Sequence, residues 1–285
     1  MQRLRVSLAA LTASAPALVT AAWINLGLLA VMLVALAVDG RIVTGAPVWL
    51  KPVKFAASIA VFLLSIAWMV QAMPRSVGVR RATTAMAWLL MLEVLLISLQ
   101  AARGTTSHFN VDSAFDGAIF STMGGAIGIV WLSSMYLLWR HLRVPAIDRN
   151  LAMAFRVGLA LNILGASVGW RMTQPVAGQV EAIEHGVRPR VVGAHTVGAP
   201  DGGPGLPITM WSRSHGDLRV PHFVGMHALQ WLPLLLLTWR AVRRVANDGV
   251  ERAIVLAASV ASVLVFVAVL AQALQGLPLI SLPGS

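Results

Sequence analysis

The stretch from Pro207 to Gln230 carries the residues with the clearest capacity for chemistry. It contains His215, His222 and His227, three of the seven histidines in the chain, with charged residues between them. Histidine titrates near neutral pH and therefore serves as a general acid, a general base or a metal ligand. We expect this stretch to form one wall of a functional site.

Helical geometry separates these histidines from one another. At about 3.6 residues per turn, Phe223, His227 and Gln230 share one stripe of a helix. Arg219 lies just above that stripe. His222 is about 140° away from His227 around the helix axis, so the two imidazoles are poorly placed to bind one ion.

The segment Arg103–Asp112 could complete the site. It offers His108, a carboxylate at Asp112 and several hydroxyl groups. A His/His/Asp set leaves room for the water that a catalytic metal activates. One hypothesis is therefore a zinc or iron site with His108, His222 and His227 as ligands. Serine, asparagine and aspartate are also common in caps and turns, so the identity of any cofactor stays open.

This pattern resembles in part that of the seven-helix zinc hydrolases, which include alkaline ceramidases and the adiponectin-receptor type. Those proteins combine a Ser-x-x-x-His element, an aspartate and a His-x-x-x-His pair on the last helix. This chain has His108 and Asp112, but Gly104 stands at the serine position. Its late pair, His222 and His227, is one residue too long and lies on the sixth predicted span. We therefore do not assign the chain to that family.

Glu93 lies near the middle of the third predicted span, where an ionisable group is costly and usually marks function. Gln230 and Asn162 should lie at a comparable depth, and His227 somewhat higher. Lys54 could reach Glu93 through its long stem. We expect Glu93 either to relay protons or to hold helices together as a protonated, hydrogen-bonded group.

A set of cationic residues is expected at the same membrane face. Its members are Lys51, Lys54, Arg103, Arg171, Arg213 and Arg219. Arginine pairs with phosphates and carboxylates through two hydrogen bonds, so we predict that Arg103 and Arg219 hold an anionic substrate. Lys54, Arg171 and Gln230 would assist them. The alternative is ordinary interfacial anchoring, with the charges neutralised by Asp112, Asp116 and Asp217.

The composition predicts an all-α integral membrane protein. Of the 285 residues 58% are hydrophobic and only 12% are charged, whereas about 25% are charged in soluble domains. Apolar runs of about 18 or more residues indicate membrane-spanning helices. Seven such spans are predicted, at about 17–38, 53–73, 83–102, 118–139, 151–172, 221–239 and 253–274. We expect residues 1–285 to form a single polytopic domain, with close helix packing at Gly124 and Gly128.

The arginine distribution predicts the orientation in the membrane. The N-terminus, with Arg3 and Arg5, and the loops after spans two, four and six are short and rich in arginine, which is typical of cytoplasmic segments. The protein would then lie in the plasma membrane with its C-terminus outside. The long outer loop between helices five and six, residues 173–220, would form an ordered cap. The net charge of +11 reflects this topology, so no nucleic-acid partner is expected.

These patterns favour an integral-membrane enzyme whose outer face acts on an amphiphilic or anionic, lipid-like substrate. His108, His227, Glu93 and Asp112 are its predicted catalytic residues. Membrane lipids and a small anionic ligand are the predicted partners. A second hypothesis is a proton-coupled transporter or binding protein that uses the same pocket. A third is a haem or quinone redox protein, in which two histidines on different helices would ligate the iron.

Overall fold

The computed structural model describes residues 7–243 and 247–280 of the chain. The predicted cytoplasmic lead with Arg3 and Arg5 lies outside the described residues. The helices are α1 (Leu8–Ser14), α2 (Pro16–Val38), α3 (Leu50–Gln71), α4 (Val77–Ala102), α5 (Ala114–Leu142), α6 (Arg149–Met172), α7 (Ala177–Glu184), α8 (Arg219–Val242) and α9 (Asp248–Leu274). Two short antiparallel ladders pair β1 (Ile42–Val43) with β2 (Ala46–Pro47), and β3 (Thr196–Val197) with β4 (Gly216–Asp217).

Seven of these helices are long and apolar enough to cross a membrane, namely α2, α3, α4, α5, α6, α8 and α9. This confirms the predicted multi-pass helical class, while the side of the membrane that each end faces stays a prediction. Several helices begin earlier than predicted because a polar residue caps them. Ser76 accepts a hydrogen bond from Val79 N, and Ser113 accepts one from Asp116 N. Such caps satisfy amide groups that have no partner inside the helix.

The seven spanning helices form two groups. Helices α2, α3, α4 and α5 pack together, and α6, α8 and α9 pack together. The groups meet where α5 packs on α6 and where α3 touches α8 over a small area. Successive spanning helices run in opposite directions. One end of the bundle therefore contains the starts of α3, α5 and α8 and the ends of α4, α6 and α9.

Helices α6 and α8 cross with their backbones in direct contact. A Cβ atom built on Gly165 would lie 2.6 Å from Met226 N, and one built on Gly225 would lie 2.7 Å from Gly165 Cα. Only glycine permits such an approach. The predicted close packing at Gly124 is wrong, since nothing lies within 4 Å of a Cβ atom added there.

The segment between α6 and α8, residues 173–218, covers one end of the bundle, and we call it the cap. It begins with α7 and contains the β3–β4 ladder. Ala194 N donates to Met172 O on α6 at 2.9 Å, and Val191 forms a bridge with Asn110 in the α4–α5 connector. Lys54 Nζ lies 3.3 Å from Thr209 O. These bonds attach the cap to both helix groups.

Candidate functional site

A row of three ionisable side chains runs from the capped end into the bundle. Lys51 Nζ, from the first turn of α3, lies 3.0 Å from His108 Nδ1. His108 Nε2 lies 3.5 Å from Glu93 Oε1 on α4. An ammonium group offers only donors, so with Lys51 protonated Nδ1 accepts a hydrogen bond and the ring proton resides on Nε2, facing Glu93.

Glu93 is the innermost member of the row. Its side chain is only 1% exposed, and within the described chain neither carboxyl oxygen has a hydrogen-bond partner. The partners considered from the sequence bond elsewhere. Asn162 donates to Met226 O at 2.7 Å, and the amide of Gln230 lies 3.2 Å from Ser65 Oγ. The cost of burying an unpartnered carboxylate favours the protonated form of Glu93.

The cap contributes a histidine–aspartate pair to the same region. His195 Nδ1 lies 2.6 Å from Asp201 Oδ2. Asp201 also accepts hydrogen bonds from the backbone amides of His195 and Thr196 at 3.0 Å. The carboxylate therefore fixes the imidazole with its proton on Nδ1 and a lone pair on Nε2.

Burial and hydrogen bonding set the charges of this pair. Burial lowers the pKa of His195, and the bond to Asp201 opposes that shift without cancelling it. For Asp201, burial acts to raise the pKa, but the hydrogen bond from His195 and those from the backbone outweigh it and hold the pKa below its usual range. At neutral pH the pair consists of a neutral imidazole and a carboxylate.

His222, in the first turns of α8, adds a third imidazole. Its Nδ1 lies 2.8 Å from Gly165 O on α6, across the glycine crossing. A carbonyl oxygen can only accept, so Nδ1 carries the ring proton and Nε2 keeps a lone pair. The local sequence explains the contact, since the absence of a side chain at Gly165 lets its carbonyl meet α8.

These side chains form one electrostatic unit, the His108 cluster, which consists of Lys51, Glu93, His108, His195, Asp201 and His222. Burial lowers the pKa of His108 well below its usual range. The charge of Lys51 lowers it further. The ring of Phe109 lies beside both His108 and His195, with its centre 6.1 Å from that of His108 and 4.8 Å from that of His195.

Water can reach part of the His108 cluster. His108 keeps 22% of its side-chain surface accessible, and His195 and Asp201 each keep 23%. The cluster thus borders a space that water can occupy, and Glu93 lies below it in the apolar interior. Phe109 forms the adjacent wall, with its ring centre 4.8 Å from that of His195.

Two of the predicted catalytic residues lie apart from His108 and Glu93. His227 stacks on Phe223 with the ring centres 4.0 Å apart, and its Nδ1 lies 2.9 Å from Phe223 O. This stacking agrees with the stripe expected from the sequence. Asp112 lies at the surface, where Arg190 in the cap binds it at 2.7 Å. Its carboxylate attaches the α4–α5 connector to the cap.

The cations predicted to hold a substrate are engaged with protein groups. Arg103 Nη1 lies 2.5 Å from Asp116 Oδ1 and also bonds Gln100. Arg219 forms a two-pronged ion pair with Asp217 and bonds Met210 O.

The three remaining predicted substrate-binding residues form no hydrogen bond or ion pair with the His108 cluster within the described chain. Lys54 lies near two cap carbonyl oxygens, the amide of Gln230 contacts Ser65, and Arg171 is exposed at the end of α6.

The predicted metal ligands are not arranged as a metal site. Among the described residues, no group of three or more histidine, aspartate or glutamate side chains could hold a metal ion. Nδ1 of His222 bonds Gly165 O and Nδ1 of His227 bonds Phe223 O. The ring nitrogens of His108 face Lys51 and Glu93, so ligation of zinc, iron or a haem iron would require the loss of one of these contacts.

His195 and Asp201 are the site residues that sequence reasoning missed. They lie in a segment rich in glycine and proline, without a helical or strand period that could relate them to the membrane helices. The only signal in the sequence is an aspartate followed by two glycines, which is equally typical of a plain turn.

Comparisons of the chain with protein-family models, with curated protein sequences and with solved structures found no match.

Proposed function

We propose that the chain is an integral-membrane enzyme that carries out acid–base chemistry on an amphiphilic or anionic molecule at its capped end. The observation that carries this proposal is the placement of two imidazoles in opposite states beside the ring of Phe109, next to a water-accessible space. His195 has a lone pair on Nε2, and His108 has a proton there when Lys51 is charged. One ring can accept a proton while the other donates one.

The roles follow from these states. His195 would take a proton from water or from a substrate hydroxyl group, and Asp201 would stabilise the imidazolium that forms. His108 would give its Nε2 proton to the group that leaves or develops negative charge, while the Lys51 ammonium group transfers a proton to Nδ1 and keeps the ring neutral. The protonated Glu93, 3.5 Å from Nε2, would then return a proton to that nitrogen, and Nδ1 would give its proton back to Lys51.

Lys51 is the cation best placed to attract an anionic substrate. Arg103 and Arg219 each hold a carboxylate of the protein, whereas the only hydrogen bond of Lys51 Nζ within the described chain is to His108. A lysine in a partly dehydrated site acts as a point charge for a phosphate or a carboxylate. Phe55 and Phe109 lie beside His108 and would contact an apolar part of the substrate.

The test is a search for turnover with matched histidine variants. Purified protein in lipid nanodiscs is incubated with a membrane lipid extract, and the consumption of each species is followed by mass spectrometry. We expect His108→Gln and His195→Gln each to slow turnover by about 10²–10⁴-fold, the usual contribution of general acid–base catalysis. His185→Gln is the control, because His185 ends α7 in the cap and bonds only Glu181 O within the described chain. Unchanged turnover in both cluster variants would refute the proposal.

One observation favours a second candidate, a proton-coupled transporter. Glu93 is buried and lacks a hydrogen-bond partner within the described residues, which suits a carboxyl group that binds and releases a proton during a transport cycle. In proteoliposomes, a proton flux that depends on solute and is lost in Glu93→Gln would support this candidate. If wild-type protein shows neither turnover nor flux, both candidates are wrong.

A further inference from the structure

A large cavity lies at the opposite end of the bundle from the His108 cluster. Its volume is about 1540 Å³, and it lies between the α5–α6 connector and the adjoining ends of α8 and α9. Pockets for small molecules usually measure about 300–1,000 Å³, so this cavity could hold more than a small metabolite. Its lining contains five arginines and three carboxylates.

Two of the three carboxylates form ion pairs with an arginine of the same cavity. Arg240 Nη1 lies 2.6 Å from Asp148 Oδ2, and its Nη2 lies 2.5 Å from Glu251 Oε2. The side chain of Arg240 is only 10% exposed. This compact ion network ties the start of α6 to the end of α8 and the start of α9, and it neutralises Arg240 internally.

Within the described chain, no carboxylate neutralises the charge of Arg156. Its guanidinium donates to His141 O at 2.8 Å and to Val144 O at 3.1 Å, and its Nε lies 3.3 Å from His141 Nδ1. All three acceptors are neutral, and no ion pair to Arg156 occurs in the described part of the chain. Arg156 is half-buried on the cavity wall. A guanidinium partly withdrawn from water and bonded only to neutral groups favours an anion beside it.

The remaining cations of the lining strengthen that preference. Arg143, Arg149 and Arg252 are exposed at the cavity, and within the described ranges none of them forms an ion pair. Arg143 lies over the ring of Trp139, 4.4 Å from its centre. Asp248 is the one lining carboxylate that does not bind Arg240.

Apolar side chains complete the cavity on the α5–α6 side. Leu142 and Ile147 line it with 57% and 56% of their surface exposed, and Met153 and Val157 line it from α6. Tryptophan marks the headgroup level of a bilayer, and Trp139 lies beside this cavity. A polar, cationic floor next to exposed apolar groups at that level suits an amphiphile with an anionic head.

We propose that this cavity binds the phosphate head group of an anionic membrane phospholipid, with Arg156 as its principal ligand and Arg149 and Arg252 at its rim. The site is separate from the one in the proposed function and does not depend on it.

The test compares phosphatidylglycerol with phosphatidylcholine of the same acyl chains. Purified full-length protein is titrated with each lipid in detergent micelles, and the bound lipid is counted by native mass spectrometry. We expect phosphatidylglycerol to bind at least about tenfold more tightly, and Arg156→Gln to weaken that binding by about tenfold, the effect of losing one charge-assisted contact. Arg156→Lys keeps the charge and should recover part of the affinity. Arg171→Gln, at the capped end, should bind like the wild type.

Arg156 also bonds the end of α5, so its glutamine variant could fail to fold. The double variant Arg149→Gln/Arg252→Gln removes only exposed groups and should still weaken binding by several-fold. Equal affinity for the two lipids, or wild-type binding by a folded Arg156→Gln protein, would overturn the proposal. Displacement of the lipid by millimolar inorganic phosphate would show a site for free phosphate, which also overturns the lipid assignment.

Discussion

Replacement of Gly165 by alanine should destabilise the protein through the crossing of α6 and α8. The added Cβ atom would lie 2.6 Å from Met226 N and 2.8 Å from both C and Cα of Gly225. All three are backbone atoms, so a change of rotamer cannot relieve the contact. The two helices would have to move apart, and they form the most extensively packed helix pair among the described residues.

The magnitude follows from two opposing effects. Overpacking of a tight core costs about 1–3 kcal/mol and occasionally more, and the rigidity of the contacted backbone places Gly165→Ala at or above the top of that range. Alanine gains about 1 kcal/mol over glycine in a helix. We expect a net loss of about 2 kcal/mol, roughly a 30-fold change in the unfolding equilibrium constant.

The measurement is the free energy of unfolding in mixed micelles, obtained by titration with sodium dodecyl sulfate and followed by circular dichroism. Gly124→Ala is the matched control, because a Cβ atom at Gly124 meets nothing within 4 Å. The control should be as stable as the wild type or slightly more so. The reasoning fails if Gly165→Ala proves as stable as Gly124→Ala.

Two further predictions concern pH and the ion network. The folded-state pKa values of His108 and His195 lie below the unfolded value of 6.5. The contribution of these two histidines to the free energy of unfolding is therefore present above pH 6.5 and is lost as the pH falls below it. The loss is up to about 1.4 kcal/mol per pH unit for each group. His195→Gln should reduce this slope in unfolding titrations between pH 7.5 and 5, and a slope equal to that of the wild type would contradict the assignment. Asp148→Asn removes one carboxylate from Arg240 but retains a capping oxygen, so it should cost about 1–3 kcal/mol at pH 7. Burial acts to raise the pKa of Asp148, yet the hydrogen bonds from Arg240 and from the backbone, together with the charge of Arg240, outweigh it and hold the pKa below 3.8. The difference in stability between variant and wild type should therefore narrow as the pH falls below 3.8. A difference independent of pH would count against an ionised Asp148.

The sequence was sufficient to predict the seven spans, because each is an apolar run of the required length between polar segments. It also made Glu93 a candidate, since an ionisable residue is unusual within a span, and His108 a candidate, since it lies with Asp112 and several hydroxyl groups in one polar segment. The sequence did not predict the contact between Glu93 and His108. Candidate partners for Glu93 were sought on the spanning helices, whereas His108 reaches it from a connector that folds inward.

The anion-binding roles predicted for Arg103 and Arg219 illustrate a different limit. Charge count and expected membrane side do not tell whether an arginine faces a carboxylate of the same protein. Asp116 and Asp217 satisfy both guanidinium groups, which is the alternative that the sequence left open. The glycine crossing was missed for a similar reason. Gly158 and Gly165 are seven residues apart, and their contact surface on α8 depends on the relative rotation of the two helices.

The division of the spanning helices into two groups has a mechanical consequence. Backbone contact at the glycine crossing makes α6 and α8 a stiff unit, whereas α3 and α8 touch only over a small area. A hinge between the groups that keeps the packing of α5 on α6 as its axis would therefore sacrifice only the small contact between α3 and α8. Lys51, Glu93 and His108 belong to one side of that hinge, and His222 belongs to the other. Any ligand or proton that the cluster holds more tightly at one hinge angle must favour that angle to the same degree, because such coupling is reciprocal.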